Sequence, residues 1–383
     1  MVISPGIPVD APFTDVVRNA GIPIWSEIEL AYHYGKGKIA AITGTNGKTT
    51  TTALVGEIVK AHNAKTIVVG NIGIPYTELC DTTDDDSDTV AEISSFQLET
   101  VIDFHPNVSA ILNLTPDHLN RHYTFENYGN VKFSITKNQT MDDVTVLNYD
   151  DEHTRAMGEK AKDHCHVVYF SRLEQPAGGV YVEDGDIILE DGDKKINVLA
   201  IKDLKLMGAH NVENVLAAVG ISYYMGVPVD VIRDVATSFK AVAHRIEYVD
   251  TIDGVAYYND SKGTNPDAAI KGIQAMVAPT FLIGGGYDKG SEYDEWIEAF
   301  DGKVKWLVLI GQTAQKIADC AKRHGFNSII FEENLQDAVA YCHENAVDGD
   351  AVLLSPACAS WGQFDNYEQR GDMFKEYVRS YKE

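Results

Sequence analysis

The chain has 383 residues, of which 32 are basic and 57 acidic, so its formal net charge at pH 7 is −25. Nucleic acid and anionic membranes are unsuitable partners for so acidic a chain, because both attract a basic surface. The length exceeds one ordinary hydrophobic core and predicts about two or three domains. No apolar run approaches a membrane span, no basic leader opens the chain, and the five cysteines are scattered without paired spacing. We therefore expect a cytoplasmic protein with reduced thiols.

Short apolar runs alternate with helical patterns along most of the chain. The runs KIAAIT, TIVVG, DTVAEIS and VSAILNL are typical of buried strands, and each is followed by a loop and a helical segment. This alternation predicts the α/β fold class, with a mostly parallel sheet covered by helices. Further on, GGVYVEDGDIILEDGDKKINV has Asp-Gly turns between short alternating runs, which predicts a β-hairpin or meander beside that sheet.

The same patterns divide the chain into three segments. Residues 1–36 are too few to bury a core, fit neither domain, and look like the end of a domain whose beginning is absent. Residues 37–241 form a P-loop-type central domain. A second alternating series begins near Ala241 with RIEYVDTIDGVAYYND and continues through TFLIGGG, KWLVLIG, SIIFE and AVLLSP. It predicts a C-terminal Rossmann-like α/β domain over residues 242–383.

The first candidate site is the loop ITGTNGKTT, between the first strand and a helix predicted to begin near Lys48. Gly44 and Gly47 allow backbone N–H groups to turn inward, where the positive end of that helix also points. Lys48 would reach the terminal phosphates of a nucleotide, and Thr49 would ligate Mg²⁺. Only two residues separate the glycines, whereas the usual P-loop has four. The alternative is a plain strand-to-helix turn.

Two further candidates follow predicted strands, at the edge where open α/β sheets bind ligands. Glu92 ends one strand and could ligate Mg²⁺ directly or lie behind a ligand, although a solvated glutamate is equally consistent with this position. The segment NLTPDHLNRH follows the next strand and carries Asp117, His118, Arg121 and His122. A histidine beside a carboxylate can ligate a metal, whereas a lone histidine is more often structural.

Lys132 lies in a short helical segment, and nothing in its composition distinguishes it. Asn211 and Asn214 stand three residues apart at the start of a helix predicted in HNVENVLAA. They could hydrogen-bond a base, since helix capping explains one of them at most.

The second domain carries polar loops beside its strands, in AHRIE, NDSKGTNPDA, GGGYDKG and LSPACASWGQFDNYEQRG. Lys262 is predicted to open a helix, which would place a cation beside a helix N-terminus. Ser360, Tyr367 and Arg370 are predicted to lie in a long loop before the last helix. Any one of these loops could be an ordinary turn, but so many polar loops at strand ends favour a binding site.

The motifs ITGTNGKTT, GNIG, ISSFQLE, TPDHLNRH, HNVENVLAA, HRIE, NDSKGTNP and LSPACASWGQFDNYEQRG resemble, in order, those of the muramyl (Mur) ligase family. The resemblance runs from about Ser4 to the C-terminus, and the shortened loop is this family's form of the phosphate-binding loop. It implies an ATP-dependent ligase of peptidoglycan precursor synthesis. ATP would phosphorylate a substrate carboxylate, and the amine of an amino acid would attack the acyl phosphate to form an amide. The implied substrates are ATP, UDP-N-acetylmuramoyl-L-alanine and D-glutamate.

The resemblance also implies roles for individual residues. The implied catalytic residues are Lys48, Glu92, His118 and Lys132. The implied ATP-binding residues are Gly44, Thr45, Asn46, Gly47, Lys48, Thr49, Thr50, Asn71, Asn211, Asn214, Arg245, Asp260 and Lys262. The implied contacts to the incoming amino acid are Thr264, Lys289, Ser360 and Tyr367. Two Mg²⁺ ions are implied, with Thr49, Glu92, His118 and a carbamylated Lys132 as ligands.

Two departures from the family pattern shape the expectations. Asn120 stands where an acidic residue is usual, and the family's N-terminal UDP-binding domain is matched only by residues 1–36, as a remnant. A nucleotide-binding form without ligase activity, and a sister ligase that adds another amino acid, are therefore the alternatives. We expect a monomer whose domains close over ATP.

Overall fold

The computed structural model describes residues 1–71, 73–206, 208–240 and 243–382, apart from the side chains of Asn120 and Asp267. It divides into two compact units, Met1–Lys240 and Ala241–Glu383. The predicted boundary at Ala241 and the side chain at the Asn120 departure lie outside the described residues, and the three-segment division stays a prediction. Within the described ranges, no helix is long and apolar enough to cross a membrane.

A nine-stranded sheet forms the centre of the first unit. Its strands are β1 (Lys38–Thr43), β2 (Ile67–Gly70), β3 (Asp88–Glu92), β4 (Val108–Ile111), β5 (Val144–Asn148), β6 (His166–Ser171), β7 (Gly179–Glu183), β8 (Asp186–Asp191) and β9 (Lys194–Ala200). They lie in the order β2-β3-β1-β4-β5-β6-β7-β8-β9. All neighbours from β2 to β7 are parallel, and β7, β8 and β9 are antiparallel. The predicted hairpin is thus part of this sheet, which it extends at one edge.

Strand β1 occupies the position where the strand order reverses direction. Its neighbours are β3 and β4, and it is buried along most of its length because KIAAIT has no polar face. The carboxyl ends of β1, β3 and β4 lie at one edge of the sheet because all three strands are parallel. In an open α/β sheet, this crevice is where ligands bind. Strand β3 ends at Glu92, and the segments ITGTNGKTT and TPDHLNRH contain the loops that follow β1 and β4, respectively.

Ten helices are described in the first unit. They are α1 (Pro12–Asn19), α2 (Glu27–Tyr34), α3 (Lys48–His62), α4 (Tyr76–Leu79), α5 (Ser95–Leu98), α6 (Leu119–His122), α7 (Phe125–Phe133), α8 (Glu152–Ala161), α9 (Ala209–Tyr224) and α10 (Val229–Ser238). Helix α3 packs against α9 and α10. Ile28 and Ala31 of α2 are fully buried in the core of this unit, so α2 belongs to its packing. The sequence patterns had led us to expect that residues 1–36 would fit neither domain.

Helix α2 is also joined to the first unit by a buried carboxylate. The Glu29 side chain accepts hydrogen bonds from the backbone N–H groups of Ile102, Asp103 and Phe104, at 2.9, 2.7 and 3.1 Å. Glu29 itself is fully buried, and the imidazole Nε2 of His33 lies 3.3 Å from it. A buried carboxylate needs this many donors, because without them its desolvation would be costly.

The second unit is a smaller α/β structure with a six-stranded sheet. Its strands are β10 (Glu247–Ile252), β11 (Val255–Asn259), β12 (Thr280–Gly284), β13 (Val304–Leu309), β14 (Ile329–Phe331) and β15 (Ala351–Leu354), in the order β10-β11-β15-β12-β13-β14. Only β10 and β11 pair in an antiparallel way. Its described helices are α11 (Pro266–Gln274), α12 (Asp294–Glu298), α13 (Ala314–Arg323), α14 (Leu335–Asn345) and α15 (Tyr367–Arg379).

Both faces of the second sheet are covered. Phe281 and Ile283 belong to one cluster of buried side chains, whereas Leu282 between them belongs to another. Successive side chains of a strand point to opposite faces, so the two clusters lie on opposite sides of the sheet. This explains why the strands of this unit read as continuous apolar runs.

Two helix boundaries in this unit differ from those predicted. Helix α11 begins at Pro266, and Asn265 caps it by accepting a hydrogen bond from the Ala268 N–H at 2.8 Å. Lys262 therefore lies in a turn before the helix and does not open it. Helix α15 begins at Tyr367 after the capping residue Asn366, so Tyr367 and Arg370 are helical and not part of the preceding loop.

Candidate active site

The loop after β1 turns sharply on two glycines. Gly44 and Gly47 have φ values of +149° and +82°, and a Cβ atom at Gly47 would lie 2.2 Å from Oδ1 of Asn214. A side chain at Gly47 would therefore be both strained and in collision with a neighbour. Helix α3 begins directly afterwards at Lys48, so its positive end points into the loop. The predicted strand, turn and helix are thus confirmed, and their geometry is suited to binding a phosphate.

Two lysines donate hydrogen bonds to one carbonyl of this loop. Lys48 Nζ lies 2.8 Å from the backbone oxygens of both Gly44 and Thr45. Lys132 Nζ lies 2.9 Å from the same Gly44 oxygen and 3.3 Å from Oγ1 of Thr43. Two like charges beside one acceptor repel each other, and the repulsion is strong where water is largely excluded.

Lys132 is a buried lysine in helix α7. Its side chain is about 2% exposed, and Nζ lies 4.8 Å from the centre of the Tyr128 ring. Burial, and next the charge of Lys48, hold the pKa of Lys132 well below its usual range, while the carboxylates of Asp117 and Glu92 oppose this shift. Both causes favour the neutral amine over the ammonium form. The sequence pattern of α7 contains no sign of this environment, because the contacts come from distant loops.

Glu92 ends β3 as predicted, and its side chain is buried. Its Oε1 accepts a hydrogen bond from Asn71 Nδ2 at 3.0 Å, and its backbone oxygen accepts from the Asn71 N–H at 2.8 Å. The structure thus brings the GNIG loop to the end of β3. Thr49, in the first turn of α3, is also buried. A hydroxyl and a carboxylate are the hard oxygen donors that suit Mg²⁺.

His118 and His122 occupy different environments. His118 has a left-handed backbone (φ +52°), and its half-exposed imidazole lies 3.7 Å from the Asp117 carboxylate. His122 is buried, and its Nε2 lies 3.0 Å from Oγ of Ser95. Burial, and next the charges of His118 and Arg121, lower the pKa of His122 to about 4. His118 therefore stays the candidate ligand, which remains a prediction, and His122 is a neutral part of the packing.

Asn211 and Asn214 lie close to the Gly44–Gly47 loop and the start of α3. Asn214 Oδ1 accepts a hydrogen bond from Oγ1 of Thr51 at 3.3 Å, and its Nδ2 donates to Oδ1 of Asn211 at 3.1 Å. Both asparagines lie in the first two turns of α9, which packs on α3. Capping of α9 therefore does not account for them.

Several residues that support the loop were not predicted. Asn113 Oδ1 accepts from the N–H of Asn46 at 2.8 Å, and Asn113 Nδ2 donates to the Asn46 carbonyl at 3.1 Å. Oγ1 of Thr45 lies 3.1 Å from the hydroxyl of Tyr128. Asn113 follows β4, and this place at the carboxyl edge of the sheet was the one feature of the sequence that could have marked it as a site residue. Thr50 completes the first turn of α3 and is half-buried.

In the second unit, the structure brings Lys262 and Tyr367 together. Lys262 Nζ lies 5.7 Å from the centre of the Tyr367 ring, a cation–π distance. The Lys262 N–H donates to the carbonyl of His244, directly before Arg245, and the Lys262 carbonyl accepts from the Thr264 N–H. The AHRIE and NDSKGTN segments therefore meet.

Asp260 is buried beside these residues. Its Oδ2 accepts from Oγ of Ser355 at 2.6 Å, and its Oδ1 accepts from the Ile246 N–H at 3.3 Å. Burial raises the pKa of Asp260 to about 7, although Ser355 and the charge of Arg245 oppose this shift. The carboxyl group is thus directed into the unit and engaged with its own chain.

Lys289 and Ser360 lie on two loops that touch. Lys289 Nζ lies 4.7 Å from the centre of the Trp361 ring, and Ser360, the preceding residue, is buried. The loops are held together by a hydrogen bond of 3.0 Å from the Tyr287 N–H to the carbonyl of Ala359. Trp361 is exposed and was not among the predicted residues.

Among the described residues, two other clusters of possible metal ligands occur away from this site: Asp294 with Cys320 and His324, and Glu29 with His33 and Asp103. The polar side chains of both clusters already have hydrogen-bond or ion-pair partners within the protein. His324 Nε2 lies 2.8 Å from the Asp294 carboxylate, and Glu29 accepts three backbone hydrogen bonds. Neither cluster needs an ion to satisfy its polar groups.

Comparison with known families identifies the class of protein. Residues 42–222 match the Mur ligase middle domain, and residues 244–358 match the Mur ligase glutamate ligase domain. The chain therefore belongs to the Mur ligase family. A UDP-N-acetylmuramoylalanine–D-glutamate ligase from Lachnospira eligens is 58% identical over 99% of this chain and 84% of that protein. The enzyme of the same name from Clostridioides difficile is 49% identical over 100% of this chain and 84% of that protein.

Solved structures share the fold. The UDP-N-acetylmuramate–alanine ligase MurC from Thermotoga maritima superposes with a TM-score of 0.60 and 20% identity, covering 99% of this chain and 85% of that chain. A MurF ligase from Thermotoga maritima, solved in complex with ADP, superposes with a TM-score of 0.60 and 17% identity, covering 99% and 95%. At this identity the likeness extends to the fold alone.

Proposed function

We propose that this protein joins D-glutamate to UDP-N-acetylmuramoyl-L-alanine with ATP, in the synthesis of peptidoglycan precursors. The γ-phosphoryl group of ATP passes to the substrate carboxylate, giving an acyl phosphate and ADP. The amine of D-glutamate then attacks the acyl carbon, and inorganic phosphate leaves as the amide forms. The observation that carries this proposal is the phosphate loop of the first unit, in a chain whose relatives share that printed name.

The first unit supplies the groups that hold the phosphates. The N–H groups of the Gly44–Gly47 turn and the start of α3 point at the same place, and Lys48 brings a positive charge there. A carboxylate approaching a triphosphate meets strong repulsion, so cations near the loop lower the barrier. Asn71 lies beside Glu92, near the transferred group, and Asn211 and Asn214 lie on the adenine side.

The residues present fit two Mg²⁺ ions, which would neutralise phosphate charge when bound. Thr49 would hold one ion and Glu92, His118 and Lys132 the other. The buried carboxylate of Glu92 has the donor chemistry for this role. We propose that Lys132 is carbamylated, since its buried amine would become an anionic oxygen donor beside Lys48. The new negative charge would then attract the ammonium group of Lys48.

In the second unit, we propose that Arg245, Asp260 and Lys262 serve the nucleotide, and that Thr264, Lys289, Ser360 and Tyr367 bind D-glutamate. Asp260 is engaged with Ser355, so it acts by holding its loop in place. The two lysines bring positive charge to loops that would receive a dicarboxylate. We further propose that the protein acts in the cytoplasm, where its co-substrate ATP is available, and, as expected from the sequence, that it is a monomer.

Phosphate release tests this function. With UDP-N-acetylmuramoyl-L-alanine, ATP and Mg²⁺ present, sustained release should require D-glutamate, and mass spectrometry should detect the amide product. L-glutamate and a diamino acid should not replace D-glutamate. Turnover with one of those amino acids would instead identify a sister ligase, and ATP binding without turnover would favour a nucleotide-binding protein.

A matched pair of variants ties the activity to the loop. Lys48→Met should lower turnover by at least about 100-fold, because the charge on the transferred phosphate loses its partner. Lys60→Met makes the same change at an exposed position of α3 and should leave turnover unchanged. Equal activities of the two variants would remove the loop from the mechanism.

A further inference from the structure

Helix α15 contains a buried arginine that links two loops of the second unit. Arg370 is about 1% exposed. Its Nε donates to Oγ of Ser261 at 2.9 Å, its Nη2 to the Ser261 carbonyl at 2.8 Å, and its Nη1 to the Cys358 carbonyl at 3.1 Å. These three acceptors are neutral and belong to segments that are far apart in the sequence. One guanidinium therefore fixes the distance between the two segments.

Both segments carry residues that we assign to substrate binding. Ser261 stands between Asp260 and Lys262, three residues before Thr264. Cys358 stands two residues before Ser360. The hydrogen-bonded set reaches a third element as well, because the Ser261 hydroxyl donates to the backbone carbonyl of Tyr367 at 2.8 Å.

Burying the Arg370 guanidinium lowers the stability of the fold, which argues that this residue has a specific role. Burial lowers the pKa of Arg370 to about 10, so the group remains charged at neutral pH, and Cys358 and Asp260 oppose the shift. A buried cation loses its hydration, and an apolar side chain of similar volume would often stabilise the interior at least as well. What an apolar residue cannot supply is a planar fork of donors that reaches several acceptors at once.

Two glycines close to Arg370 allow neighbouring segments of the second unit to pack tightly. A Cβ atom at Gly286, on the loop that leads to Lys289, would lie 3.5 Å from Arg370 Nη1 and 2.5 Å from the carbonyl of Ala359. A Cβ atom at Gly371, the next residue of α15, would lie 2.1 Å from Nδ1 of His244. Gly286 therefore approaches the Ala359 carbonyl, and Gly371 approaches His244, more closely than a residue with a side chain could.

We propose that Arg370 is a positioning residue for the incoming amino acid. It sets the relative positions of Thr264, Ser360 and Tyr367, three of the four residues assigned to D-glutamate, without contacting the substrate itself. This inference rests on the proposed function for its kinetic consequence, but the link between the segments is a property of the fold. Lysine at this position keeps the charge and cannot span the three acceptors.

Steady-state kinetics of Arg370→Lys test the proposal. The KM for D-glutamate should rise by about tenfold or more, since a charge-assisted hydrogen bond that orients the site is lost, while kcat should change much less. Arg379→Lys makes the same change at an exposed position of the same helix and should leave both constants unchanged. A variant of Arg370 that is less stable but retains the wild-type KM for D-glutamate would overturn the proposal, as would a fall in kcat alone.

Hydrogen exchange separates a failure of this inference from a failure of the proposed function. If the wild-type protein shows no turnover with D-glutamate, the proposed function fails, and the link can still be measured. Amides in residues 259–264 and 355–366 should exchange faster in Arg370→Lys than in Arg379→Lys, because the tie between the segments is lost. Equal exchange in the two variants would overturn the proposed role of Arg370.

Discussion

Lys132 shows how strongly the role of a residue depends on contacts that are distant in the sequence. Its hydrogen bond to the Gly44 carbonyl spans 88 positions. Nothing within α7 predicts that bond, and the residue was assigned through resemblance to the family alone. The local pattern could not reveal it, because burial and the nearby charge of Lys48 arise only when α7 packs beside the loop.

Carbamylation of Lys132 can be observed directly. In ¹³C-bicarbonate, the wild-type protein should show one carbamate carbonyl signal by NMR, because burial lowers the pKa of Lys132 and favours the neutral amine that reacts with carbon dioxide. Lys132→Arg should lack the signal and lose about 100-fold or more in turnover. Lys137→Arg, an exposed change at a nearby position, should keep both signal and turnover. A signal that persists in Lys132→Arg would contradict the assignment.

His122 should make the stability of the protein depend on pH. Its pKa is about 4 in the folded chain, against an ordinary value of 6.5, so between these values the unfolded chain binds a proton that the folded chain does not. The free energy of unfolding should therefore fall as the pH falls from about 6.5 to about 4. Thermal unfolding of His122→Gln should show a weaker decrease over this range, and parallel curves for the two proteins would contradict the prediction.

At the scale of secondary structure, the strands were predictable, whereas the starts of α11 and α15 were not. Runs such as KIAAIT and VSAILNL indicate strands because both faces of a parallel sheet are buried. The start of α11 was misplaced because Lys262 precedes a glycine turn, whereas the true signals are the cap Asn265 and Pro266 at the first helical position. The start of α15 was also missed because its capping residue, Asn366, was not recognised as the signal for a helix N-terminus.

The turn at Gly47 allows a sharp test of the phosphate loop. Gly47→Ala should lower ATP affinity by about 100-fold or more, because its Cβ would collide with Asn214 in addition to straining the backbone. Gly185→Ala is the matched control, since Gly185 has a φ of +85° and nothing lies within 4 Å of its added Cβ. That variant should lose some stability and keep its ATP affinity. Calorimetric titration measures both, and equal ATP affinities would contradict the role of the loop.

At the scale of the whole molecule, the chain contains two separately packed units. The core of the first includes residues of α2 and of the central strands, and the second has clusters on both faces of its own sheet. The sequence patterns predicted a boundary near residue 241, where a new alternating series begins. They could not indicate that α2 packs with the first unit, because its buried Glu29 looks like a surface residue until its donors are known.

The second unit should fold on its own. A fragment of residues 243–383 retains both clusters of buried side chains and is long enough to bury an independent core. We expect it to unfold cooperatively on heating, at a temperature close to one transition of the full chain. Circular dichroism measures this, and a broad, gradual loss of signal would show that the unit depends on the rest of the chain.

The buried Glu29 has a consequence that reaches beyond the anchoring of α2. Consecutive N–H groups from residues 102–104 converge on its carboxylate, so the protein binds an anion of its own with the same backbone chemistry that we propose for the phosphate site. Because every donor there points inward, a neutral or shorter side chain would leave donors without an acceptor. A substitution of Glu29 would thus destabilise the first unit by leaving buried N–H groups unpaired, and repacking of apolar side chains could not compensate for this loss.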